Sequence, residues 1–114
     1  MEHVQKNDMK TLSSCTQKLK EFGFTEEYVV KANLIRSIES GEGYTADQVK
    51  ILNFYRFEGE SDPSDSSILY VLETKDGKRG LLIDAYGVYA DPDIGKFILQ
   101  VEEINKKPTG STPN

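Results

Sequence analysis

The chain has no Trp, one Cys, one His and four Pro among 114 residues, and each scarcity excludes something. A lone Cys15 rules out an internal disulfide and any cysteine-based zinc site. Its place among helix-spaced apolar residues reads as a small packing residue with no catalytic partner at hand. The single His3 lies in a polar opening stretch, MEHVQKND, so Ser-His-Asp and Cys-His mechanisms lack a credible base. Long apolar runs are missing too. The run Leu81-Leu82-Ile83 is far short of a membrane span, and no basic-then-apolar signal segment opens the sequence. The expectation is a cytoplasmic protein in a reduced compartment. Basic excess is also absent. With 14 Lys+Arg against 19 Asp+Glu, the formal charge is −5, which argues against nucleic acid and anionic membranes as partners.

What remains fits one small α+β domain. Residues 1–8 read as a flexible tail, 9–107 as the domain and 108–114 as a disordered tail. Leu12, Cys15, Leu19 and Phe22 repeat at three- and four-residue intervals, one face of a helix with Thr11 or Ser13 as its cap and Gly23 at its end. Tyr28-Val29-Val30 and Leu34 to Ile38 read as short strands around a Lys-Ala-Asn turn. Thr45 and Gln48 have capping-box spacing for a single helical turn. Val49 to Phe57, with apolar residues on both sides, reads as a strand near the middle of the sheet. Lys50, Leu52, Phe54 and Arg56 are expected on one of its faces, with Val49, Ile51, Asn53, Tyr55 and Phe57 on the other. Ser67 to Thr74 and Arg79 to Tyr86 form a hairpin, in which Asp76-Gly77 supplies the positive φ values of a tight turn. Asp91, Pro92 and Asp93 open a last helix, whose stripe is Ile94, Phe97, Ile98, Val101 and Ile104. The predicted fold is an antiparallel sheet of four or five strands flanked by an N-terminal and a C-terminal helix.

The candidate site is the segment RFEGESDPSD, residues 56–65, with residues 84–91. Glu58, Glu60, Asp62 and Asp65 could offer oxygen ligands to Ca²⁺ or Mg²⁺, but their spacing is not that of a calcium loop. Asp62 before Pro63, with Asp65 closing the same segment, is good turn chemistry. We therefore expect a capped turn, with no metal and no cofactor. Arg56 could sit among Tyr55, Tyr70, Tyr86 and Tyr89 as an anion pocket. The competing reading pairs it with Glu58, Asp65 or Asp84. Asp84-Ala85-Tyr86-Gly87 has too few glycines for a phosphate loop.

Tyr55 to Asp65, then Ile68-Leu69-Tyr70, then Asp76 to Gly80 and Asp84 to Asp91 resemble a family of small bacterial proteins. Its pattern is YRFEG-x-SDP-x-D, ILY, a DG-x-KG hairpin and DAYG-x-Y, and the likeness covers residues 9 to about 105. Arg79, between Lys78 and Gly80, is the one departure. Members often carry the label phosphoribosylpyrophosphate synthetase, so the resemblance implies nucleotide or phosphate handling through Arg56 and the acidic loop. An enzyme of that type looks like two longer parallel-sheet domains with an acidic Thr-Gly-x-Thr phosphate turn and a His-rich ATP site. This sequence has neither motif. The residues themselves point instead to a non-catalytic module, monomeric or weakly dimeric. It would bind a protein or small ligand through Arg56, Glu58, Asp62, Asp65, Asp84, Tyr86 and Tyr89.

Overall fold

The computed structural model describes residues 11–57, 66–85 and 90–106. Both expected tails, the segment 58–65 and residues 86–89 lie outside the described residues. Two helices, α1 (Leu12–Glu21) and α2 (Pro92–Lys106), accompany six strands. The strands are β1 (Glu26–Lys31), β2 (Leu34–Ser37), β3 (Gly43–Tyr44), β4 (Val49–Phe57), β5 (Ser67–Thr74) and β6 (Arg79–Ala85). The spatial order is β3-β2-β1-β6-β5-β4. The expectation of an α+β sheet with two helices holds, but the sheet has six strands and is mixed. β1 runs parallel to β6, with Glu26 beside Gly80 and Glu27 beside Leu81. A single-sequence reading misses this pairing because it joins strands about 50 residues apart, with no turn to announce it.

β3 and β4 end up at opposite edges of the sheet, although only residues 45–48 connect them. Five steps of chain from Tyr44 to Val49 reach at most about 18 Å, whereas the edges of a flat six-strand sheet lie about 24 Å apart. The sheet therefore curls, and α2 fills its concave face. Tyr28, Ile35, Tyr44, Leu72 and Leu82 pack there around Phe97, Ile98 and Val101 of α2. On the convex face Cys15 and Leu19 of α1 cover Leu69, Val71 and Leu81. Ile104, expected in the stripe of α2, is instead 44% exposed.

Local signals explain how the elements begin and end. Thr11 caps α1, its hydroxyl accepting the Ser14 N–H at 3.1 Å. The helix closes in a Schellman motif: Phe24 N–H donates to the Leu19 carbonyl, Gly23 N–H donates to that of Lys20, and Gly23 has φ +101°. Thr45 N–H donates to Gln48 Oε1 at 3.0 Å, which is the glutamine half of the expected capping box. At α2, Asp91 Oδ1 accepts the Asp93 N–H at 2.9 Å, as an N-cap should.

The hairpins divide differently from expectation. Between β5 and β6 only Gly77 has positive φ, and Thr74 N–H donates to the Lys78 carbonyl, so the loop has three residues. The two-residue turn with both central φ positive lies between β1 and β2. Ala32 and Asn33 occupy it, at φ +54° and +60°.

Candidate functional site

Of the seven residues proposed from sequence, Arg56 and Asp84 are described; Glu58, Asp62, Asp65, Tyr86 and Tyr89 lie outside the described residues. Register places Arg56 of β4 beside Ile68 of β5, and Ile68 beside Asp84 of β6. The two charges thus share one row of the concave face, with Ile68 between them, two strand spacings or about 10 Å apart along the backbone. Arg56 is exposed, so an ion pair made there contributes little to stability. Asp84 is only 8% exposed. Its Oδ1 accepts the Asp91 N–H at 2.9 Å, tying the end of β6 to the cap of α2. Burial pushes its carboxyl above the ordinary value, and the nearby Asp91 charge adds to the rise.

Of the four tyrosines expected around Arg56, Tyr55 and Tyr70 are described, and they lie on opposite faces of the sheet. Tyr70 pairs with Phe54, two residues from Arg56 and on its face, whereas Tyr55 pairs with Leu69 and joins the convex core. Adjacent residues of a strand face opposite sides, and a bulge decides which side each takes. The register of β4 with β5 shifts between Ile51 and Asn53, and the extra residue reverses the alternation beyond it. Val49 and Ile51 accordingly belong to the concave core, while Tyr55 and Phe57 pack on the convex side. Asn53 stabilises the irregularity, its Oδ1 accepting the Phe54 N–H at 2.8 Å. An Asn inside an otherwise β-prone run was the signal available in the sequence.

β4 is also an edge strand, not a central one: β5 is its only sheet neighbour among the described residues. Its apolar residues on two sides do not reflect full burial. Leu52 is 43% exposed and Phe54 51%. Phe54 leans on Tyr70, with ring centroids 6.4 Å apart. A cleft of about 640 Å³ runs between residues 50–54 of β4 and Glu102 and Asn105 of α2. Next to it lies a more polar cleft of about 370 Å³, which shares Lys50 and Asn105 and reaches Glu73 and Lys75.

Elsewhere the polar chemistry is structural. Tyr44 Oη donates to Asp76 Oδ2 at 2.9 Å, and Thr74 Oγ1 donates to Asp76 Oδ1 at 2.5 Å. Burial pushes the Tyr44 and Tyr28 hydroxyls up to about 12, which makes them hydrogen-bond donors and not bases near neutrality. The Thr74 hydroxyl holds the Asp76 carboxyl below its ordinary value. Burial raises the Cys15 thiol, the opposite of nucleophile activation. Among the described residues no group of three or more His, Cys, Asp or Glu could hold a metal ion, and no helix is long and apolar enough to cross a membrane.

No family model, curated protein or solved structure matches the chain.

Proposed function

We propose that the protein is a non-catalytic binding module whose working surface is the β4 edge and the cleft beside it. One observation carries this reading: two large apolar side chains, Leu52 and Phe54, are left about half exposed on an edge strand at the wall of a 640 Å³ cleft. Burying them against a ligand would recover roughly 25 cal/mol per Å² of apolar surface, and a concave, mostly apolar wall with a few polar groups is the usual form of a ligand site. Lys50, Asn53, Glu102 and Asn105 are the polar groups at this one. The site shares β4 with Arg56 but lies toward the C-terminal end of α2, at Glu102 and Asn105, whereas Asp84 and Asp91 of the sequence-favoured loops sit at the N-terminal end of that helix.

Amide-shift mapping with a set of neutral apolar fragments tests the proposal against nucleotide or phosphate handling. Fragments are expected to converge on residues 50–54, Glu102 and Asn105, with binding lost in Phe54→Lys. ATP and ribose 5-phosphate with Mg²⁺ are expected to give no saturable shifts and no product. Saturable phosphate-dependent shifts around Arg56, with turnover that disappears in Arg56→Ala, would replace this reading with the enzymatic one.

A further inference from the structure

We infer that the convex face of the short strands β1, β2 and β3 is a second binding surface, which docks a carboxylate flanked by apolar side chains on a partner protein. The face is separate from the β4 cleft and does not depend on the reading given for it. Tyr28, Val30, Ile35 and Tyr44 pack into the concave core, so alternation along each strand turns Val29, Lys31, Leu34 and Arg36 to the opposite side. Register lines up Val29, Arg36 and Gly43 in one row. On this side α1 covers Leu69, Val71 and Leu81 of the long strands and leaves Val29 42% exposed. Ile38, which follows β2, is 58% exposed.

Arg36 is the anchor. It is half-buried, and its guanidinium lies against Gly43, where a Cβ would come within 3.3 Å of Nη1. Nη1 donates to the Gly41 carbonyl at 3.0 Å, which fixes the side chain without neutralising its charge. A guanidinium carries five N–H donors in a fork that matches a carboxylate, and one backbone carbonyl uses few of them. Among the described residues the nearby acids are engaged elsewhere or stand apart. Glu27 pairs with Lys20 at 2.6 Å, Glu42 turns to Tyr44 and Lys78, and Glu39 is in none of the described ion pairs. Lys31 is two residues from Val29, the cross-strand partner of Arg36, so its Cα lies diagonally about 7–8 Å away. It too is outside the described ion pairs and adds a second positive charge. An Arg set among aliphatic neighbours is a common interface anchor. A strand face lacks the enclosing walls a small ligand needs, so the matching surface is that of a protein. Its carboxylate would answer Arg36 and Lys31, and its apolar neighbours would cover Val29, Leu34 and Ile38.

The probes are two blocked tripeptides, Leu-Glu-Leu and Leu-Gln-Leu, with inorganic phosphate as a third, each titrated while amide shifts are followed. Leu-Glu-Leu is expected to shift the amides of Val29, Lys31, Arg36 and Ile38 saturably, together with the Arg36 Nε–H. Leu-Gln-Leu keeps the apolar contacts and loses the charge, so it should bind roughly tenfold more weakly, the factor that 1.4 kcal/mol represents. Arg36→Gln should cost a similar factor, and Arg36→Lys should recover only part of it, because Lys lacks the fork. Lys31 is exposed, so Lys31→Gln leaves the fold intact and should weaken binding by a smaller factor, which keeps the test open if Arg36→Gln unfolds. No saturable shift with Leu-Glu-Leu, equal binding of the two peptides, or shifts away from this face would overturn the inference. So would phosphate moving these amides when Leu-Glu-Leu does not, which would make the face a small-oxyanion site. Concentration-dependent self-association in sedimentation that Arg36→Gln abolishes would overturn it as well, by assigning the face to a second copy of the chain.

Discussion

The two halves of the sheet are built to different standards. β4, β5 and β6 have nine, eight and seven residues and form a long meander. β1, β2 and β3 have six, four and two residues. The short half tapers to an edge with almost no unpaired backbone, whereas the long half stops abruptly at a nine-residue edge with exposed apolar side chains. Tapering is a usual way to blunt a sheet edge, and the contrast leaves β4 as the longer edge among the described residues. The halves meet along a brief parallel seam between β1 and β6, and α2 fastens them from the concave side. Its core takes Tyr28, Ile35 and Tyr44 from the short half and Leu72 and Leu82 from the long one.

Removing the fastener should give the largest effect. Phe97 is fully buried, and Phe97→Ala is expected to cost about 3–5 kcal/mol, a large share of the roughly 5–15 kcal/mol typical of a folded domain. Urea unfolding reads the loss, and hydrogen exchange should accelerate in both halves together. Acceleration confined to one half would mean that α2 does not join them.

The seam itself is tested by Gly80→Ala. A Cβ at Gly80 would overlap the Glu26 carbonyl oxygen and its neighbours, so β1 must move away from β6. The expected loss is about 1–3 kcal/mol. Unlike the Phe97 change, it should speed exchange in β1 and β2 well before β4 and β5. Uniform acceleration would show the two halves unfolding as one unit.

Alkali probes where the short half closes on the hairpin of the long one. Tyr44 Oη donates to Asp76, and burial lifts both Tyr44 and Tyr28 to about 12 from an ordinary 10. A raised folded value means that the folded state holds its proton more tightly. The stabilisation is complete below pH 10 and is lost as pH rises through about 12. Stability should therefore fall between about pH 10 and about pH 12, and Tyr44→Phe should flatten the fall. An unchanged slope in that variant would show that Tyr44 does not link hairpin and edge.

The smallest effect belongs to the β1–β2 turn. Ala32 holds φ +54° in an exposed position, a conformation costing a residue with a Cβ about 1 kcal/mol. Ala32→Gly should raise the urea midpoint, by a few tenths to about 1 kcal/mol in stability, after the greater chain entropy of Gly is set against the relief. A lowered midpoint would mean that the turn is not strained.

Legibility followed the range of the interactions. The sequence alone determined both helices, with Gly23, Asp91 and Pro92 at their ends and Thr11 or Ser13 as the first cap, and the β5–β6 hairpin, because caps, apolar periodicity and short turns act within a few residues. It also marked Arg56 and Asp84 as neighbours of one end of the sheet. Tertiary structure decided which strands lie side by side. The parallel seam depends on Gly80 admitting the Glu26 backbone, and that close approach has no local counterpart in the chain. The bulge at Leu52 reversed the faces predicted for Asn53 to Phe57, since one inserted residue inverts a period of two. The curl that brings β3 back toward β4 follows from a short link and a long α2 between them. Val49–Phe57 reads as a central strand because apolar residues on both sides usually mean burial on both sides. Only the strand order reveals β4 as an edge among the described residues, with Leu52 and Phe54 left about half exposed.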